Sequence, residues 1–275
     1  MKQTIFNASL EESMNLVTDK YIQTAMEDIN EKGYWRKIIG GFTMILFLFM
    51  GYGIGFATDN FGASFFFQKV SIINLLLLIV GTVEIFHYFI VLTGLKDRRV
   101  LSYYYYNRTM FIVMFCFVLQ GIFLIIGGAG QYLGSLFSSL FFSSVYILIL
   151  LRCYQWFKTS TLEALYGQKE FQNPLVRFLE YFVVFAKKYG GIIVLLLIVL
   201  RWIFPIDRHN DLVRAMGLVF YSFFMLIGVY FIIALGADNF QGYYIKKYME
   251  KYRELSGYTV EEWYGPRSKK AKENK

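Results

Sequence analysis

Six stretches of this chain are apolar for about 17 to 25 residues apiece, and roughly 20 such residues in a helix cross a hydrocarbon core of about 30 Å. That feature leaves few architectures open, because in lipid every backbone N–H and C=O must be satisfied within the chain itself. The fold class expected is all-α. It is a polytopic integral membrane helix bundle with six transmembrane helices, at 38–57, 71–95, 109–130, 135–157, 189–205 and 213–237. The fifth is the least regular, since Arg201 interrupts its apolar run and Pro205 ends it; a tilted or re-entrant segment is the alternative there. A content of 56% hydrophobic and 20% aromatic residues agrees with burial in lipid better than with a single soluble core.

Charge sets the expected orientation. Lys32, Arg36 and Lys37 precede the first span; Lys96, Arg98, Arg99 and Arg108 fill the second loop; Lys158, Lys169, Arg177, Lys187 and Lys188 fill the fourth. The first loop holds only Lys69 and the third no basic residue. Because short cytoplasmic loops carry the basic excess, both termini are expected on the cytoplasmic or equivalent inner side. The net charge of +8 is then a matter of topology. No stripe of basic residues with interleaved stacking aromatics accompanies it, so no nucleic-acid partner is expected. Membrane lipids are expected partners, with the cell membrane the favoured location and an organellar inner membrane the alternative.

Two appendages flank the bundle. Residues 1–37 read as an acidic amphipathic helix: Ser9 and Glu12 form a capping box, and Leu10, Met14, Val17, Tyr21, Ala25 and Ile29 recur at spacings of three and four. Two lysines against six carboxylates in residues 1–31 make this helix a poor ligand for anionic head groups, so its stripe is expected to pack on protein. Residues 238–275 form a basic, Tyr-rich tail. Tyr244, Tyr248, Met249, Tyr252 and Leu255 share a helical face, Gly257 ends that helix, and Thr259 with Glu262 makes a second capping box ahead of Trp263 and Tyr264. The last residues, 269–275, read as solvated. Asn173 and Pro174 open an interfacial helix at 174–186. Protein partners are expected at the N-terminal helix and the tail.

An ionisable residue inside a span is a candidate site by default. Glu84 and His87 lie one turn apart in the second span, with Asn74 on the same arc as Glu84 and with His87 further round, and Gln120 is the polar residue of the third. Two readings stand side by side for Glu84: a carboxyl tied to Gln120, to serines of the fourth span or to an arginine at a helix end, or a proton or cation relay with His87. Glu-x-x-His also occurs in di-iron helix bundles, but the spans supply no second histidine, so no metal and no cofactor are expected. Lys96, Arg98, Arg99, Arg108, Tyr103 and Tyr104 form the densest basic and aromatic cluster, suited to membrane anchoring or to contact with an anionic lipid or a partner. Gly51 and Gly55 in the first span, and Ser135, Ser139 and Ser143 in the fourth, have the small-residue spacing that lets helices pack closely.

The chain has no Walker A loop, dinucleotide fingerprint, H-E-x-x-H or G-x-S-x-G, and no catalytic residues are assigned. The leading expectation is a non-enzymatic integral component of a larger membrane assembly of transport, secretion or respiratory type. A transporter or permease subunit with a polar path at Glu84, His87 and Gln120 is the first alternative. A membrane immunity protein against a membrane-active toxin is the second.

Overall fold

The computed structural model describes residues 3–95, 98–167, 236–266 and 268–273, with single positions and short runs between 181 and 232. Almost all of the expected fifth span, most of the sixth, most of 174–186, and Lys96 lie outside the described residues. The elements are α1 (Leu10–Met14), α2 (Asp19–Asp59), a hairpin of β1 (Ser64–Phe65) and β2 (Gln68–Lys69), α3 (Val70–Leu95), α4 (Arg99–Leu133) and α5 (Ser135–Gly167). Helical residues 236–247 lead into α6 (Met249–Leu255), α7 (Val260–Tyr264) and α8 (Lys269–Glu273). Apart from the short hairpin, the described chain is all-α.

Among the described residues four helices are long and apolar enough to cross a membrane: Trp35–Asp59 within α2, Val70–Leu95, Arg99–Leu133 and Ser135–Gly167. They cover the first four expected spans, and the chain is a membrane-embedded helix bundle. At its centre is α4, which shares one core with α2 and α3 through Leu48, Ile85, Val113 and Cys116. A second core joins it to α5 and to Val229 and Ile232 through Val118, Ile122, Ile126, Phe142, Tyr146 and Cys153. The outward sides remain apolar, with Phe42, Leu46 and Phe49 on α2, Leu76, Val83 and Ile90 on α3, and Leu140 and Leu148 on α5 all exposed. A helix that is apolar on every side is what lipid surroundings call for.

The loops differ from expectation in instructive ways. The basic, Tyr-rich stretch read as the second loop is helical from Arg99, so α4 runs 35 residues, about 52 Å at 1.5 Å per residue. It therefore overruns a hydrocarbon core, and its first ten residues carry Tyr103 and Tyr104 beyond the lipid. The third loop shrinks to one residue. Gly134 takes φ 84° and donates its N–H to Gly130 O, a conformation that glycine adopts without steric penalty. Between α2 and α3 the hairpin turns on Phe66 and Phe67, both at positive φ. The Asp59 carboxylate accepts the Ser71 N–H at 3.3 Å, satisfying an otherwise unpaired donor at the start of α3.

The N-terminal helix is two helices. The Ser9–Glu12 capping box is present, but α1 ends at Met14. Thr18 then caps a new helix, its hydroxyl accepting the Tyr21 N–H at 3.2 Å while its own N–H and hydroxyl donate to Gln241 Oε1. Asn15 donates to Leu165 O. Such side-chain bonds compete with helix continuation. From Thr18 the helix runs on into the first span, broken only at Gly33, where φ is 65° and ψ 164°.

Candidate functional site

Two polar layers cross the bundle, and they divide the four intramembrane candidates between them. The deeper one is built by Asn74 on α3 and Gln120 on α4, both fully buried. Gln120 Nε2 donates to Leu48 O at 3.2 Å and to Asn74 O at 2.9 Å, and Asn74 Nδ2 donates to Gly51 O at 3.1 Å. Three helices are thereby tied through the two amide nitrogens, while the buried Asn74 Oδ1 and Gln120 Oε1 oxygens make no hydrogen bond among the described residues. Gly51 is what lets the layer close, since a Cβ there would stand 2.3 Å from Gln120 Oε1. At Gly55 a Cβ would meet Asn74 Nδ2 at 3.0 Å and the Ser71 backbone at 3.5 Å. The two glycines thus seat a polar side chain and a neighbouring helix in turn.

The second layer lies toward the α4 overhang. Arg108 donates from its guanidinium to Glu84 Oε1 at 3.3 Å, the Thr109 hydroxyl donates to the same oxygen at 3.4 Å, and His87 Nδ1 stands 3.9 Å from Glu84 Oε2. The partner of Glu84 is therefore an arginine at the edge of the third span, and Gln120 belongs elsewhere. Ten residues of α3 separate Asn74 from Glu84, about 15 Å. The His87 side chain is 51% exposed and faces outward. Among the described residues no three His, Cys, Asp or Glu side chains gather as a metal site.

The serines of α5 do different work from one another. Ser135 and Ser139 hold the hairpin: the Ser64 hydroxyl donates to Ser135 Oγ at 2.9 Å, and Phe66 N–H donates to Ser139 Oγ at 2.8 Å. Ser138, which spacing did not single out, is as fully buried as Ser139 and donates to Ile126 O at 2.7 Å. Ser143 is half-buried.

At the N-terminal end of α4 both chain ends fold into one head. Tyr104 is buried against Gly242, and Tyr103 meets the Tyr21 ring edge-on at 5.3 Å. Tyr103 and Tyr104 are therefore core side chains of the head, whereas Arg98 and Arg99 stand at the start of α4, half-buried. The segment before α1 is gripped by a tyrosine ladder. Tyr244 donates to Ile5 O and accepts from the Ala8 N–H, Tyr248 donates to Ala8 O, and Lys247 donates to Phe6 O and Ala8 O. Ser13 and Tyr252 share a hydrogen bond of 2.7 Å. Burial pushes the Tyr244 and Tyr252 hydroxyls up to about 12. The buried Lys37–Asp28 ion pair lies below this layer, with the Lys37 ammonium 4.7 Å from the Tyr106 ring centre.

The tail ends in a hook. The Thr259–Glu262 capping box forms, Gly257 takes φ 72°, and Trp263 is fully buried. The stretch read as solvated is helical as α8, because Ser268 caps it and Ala271 is buried. Glu250 accepts from Tyr264 at 2.6 Å, Lys270 at 2.9 Å and Arg253 at 2.9 Å. The Tyr264 hydroxyl, then Lys270, hold its carboxyl down at about 2.

A cavity of about 620 Å³ lies between α4, α5 and the described residues Val229, Ile232, Gly236, Asn239 and Phe240. Phe111, Leu119, Ile122, Leu150 and Val229 are among its lining, Arg108 and Asn239 supply its polar end, and Ile5 and Phe6 close it on the head side. It was not legible in the sequence, since its walls come from four separate segments and bear no periodic signature.

No protein-family model, no curated protein and no solved structure matches this chain.

Proposed function

We propose that the chain is a non-enzymatic integral component of a larger membrane assembly, with six spans and its head on the cytoplasmic or equivalent inner side. One observation carries the reading: both chain ends are built into a single packed head on an extension of the central membrane helix. A head so joined moves with the bundle, which suits a docking platform. Met14, next to Ser13, and Leu255, three residues on from Tyr252, are exposed on it and offer apolar contact area to a partner.

The two polar layers favour this reading over a transporter subunit. Each joins helices, through Gln120 and Asn74 in one and through Arg108 and Glu84 in the other, and about 15 Å separates them along α3. The six-span count rests on the alternation of basic loops, with support from Val229 and Ile232, which pack on α4 and α5 at a helical spacing. The test is stable co-isolation in mild detergent. A partner at fixed stoichiometry that is lost on Leu255→Asp supports docking through the head; a chain that is alone and monomeric under those conditions overturns it.

A further inference from the structure

The 620 Å³ cavity falls within the size range of small-molecule sites, which are apolar with a few placed polar groups. Its form is more particular than that. Along α4 its apolar wall runs from Phe111 to Ile122, eleven residues or about 16 Å, which matches one leaflet of a hydrocarbon core about 30 Å thick. The end nearest the head is the polar one, with Arg108 and Asn239. Phe115 and Tyr154 on its rim are 37% and 55% exposed, so the cavity opens sideways, toward where lipid lies.

The charge at that end is unevenly balanced. The Tyr105 ring lies between two cations, with Arg108 5.5 Å and Lys246 4.9 Å from its centre. Glu84 neutralises Arg108. Lys246 donates to the Tyr105 hydroxyl at 2.7 Å and has no carboxylate partner among the described residues. Lys246 thus adds a second cation, through Tyr105, to the Arg108 end of an acyl-length apolar slot.

We propose that this cavity holds one acyl chain of an anionic phospholipid from the leaflet on the head side, its phosphate set against Lys246. The lipid's second chain stays in the bilayer, and Ile5 and Phe6 cap the slot from the head. This proposal is independent of whether the chain belongs to a larger assembly.

The test uses the full chain reconstituted in discs of equal phosphatidylglycerol and phosphatidylcholine, re-extracted in mild detergent, with retained lipid counted by mass spectrometry. The wild type should keep a single phosphatidylglycerol. Leu119→Trp, which fills the slot, should abolish retention, while Ile90→Trp on the outward face of α3 should not. Lys246→Gln, an exposed change that leaves the core intact, should keep a lipid but cut the anionic preference about fivefold, as expected for one surface charge. Absence of retained lipid in the wild type, equal retention of the zwitterionic lipid, or unchanged preference in Lys246→Gln would each overturn the proposal.

Discussion

Ser13 and Tyr252, from opposite ends of the chain, share a buried hydrogen bond of 2.7 Å. It is one rung of a ladder in which Tyr244 and Tyr248 bond the backbone of residues 5–8. Tyr252→Phe should cost about 1 kcal/mol, the usual net worth of one such bond, and the loss should be local. Faster amide hydrogen exchange in residues 5–17, with α3 and α4 unchanged, is the expected result.

The same ladder has an alkaline limit. Tyr244 and Tyr252 are each raised to about 12 from an ordinary 10 by burial, so the folded head favours their neutral forms. Their contribution is complete below pH 10 and is lost as pH rises from 10 toward 12. Phenolate absorbance should show these two hydroxyls ionising together with release of the N-terminal segment, and a Tyr244→Phe/Tyr252→Phe chain should lose that coupled phase.

The tail hook fails at the other extreme. Glu250 is lowered to about 2 from 4.5, so its contribution is present above pH 4.5 and disappears as pH falls toward 2. Because the carboxylate is 40% exposed, the network is worth about 1 kcal/mol. In a variant retaining only Trp263, indole fluorescence should report opening in that window. Glu250→Gln should loosen the hook at neutral pH and remove the acid-dependent step.

Gly51 and Gly53 offer a contrast one residue apart in role. A Cβ at Gly51 collides with Gln120, whereas one at Gly53 meets nothing within 4 Å. Gly51→Ala should destabilise by about 1–3 kcal/mol through overpacking, and Gly53→Ala should be neutral or mildly stabilising. Unfolding of both variants in the same detergent decides the matter.

Glu84 and Arg108 should behave as a coupled pair. With side-chain exposures of 18% and 37%, breaking the pair by Glu84→Gln should cost about 1–2 kcal/mol, below the figure for fully buried pairs. Glu84→Gln/Arg108→Gln should recover most of that loss, and a double-mutant cycle measures it.

What the sequence made legible was whatever repeats or caps locally. The first four spans, the boxes at Ser9 and Thr259, and the turn at Gly257 each follow from a short run of residues. What it hid depends on tertiary neighbours. The stretch 99–108 has the charge and tyrosine content of a loop and is helical because Tyr104 is buried, and Tyr103 partly buried, against both chain ends. Ser138 was missed because it stands one residue outside the four-residue rhythm of Ser135, Ser139 and Ser143, and its bond to Ile126 O on α4 leaves no local signal. Glu84 was singled out by its position, but its partner Arg108 sits in a neighbouring basic cluster whose charges read as topology. A pairing across helices leaves no spacing to detect.

The central claim is that the head serves docking and the intramembrane polar groups serve packing. It is tested most directly by isolating the intact chain from its own membrane in mild detergent, as wild type and as Met14→Asp/Leu255→Asp, with vesicle flux measured on the same preparations. The account predicts a partner at fixed stoichiometry that the double variant loses, and no flux from either preparation. A solitary wild-type chain whose vesicles conduct protons or solute, and cease to do so in Glu84→Gln, would contradict it.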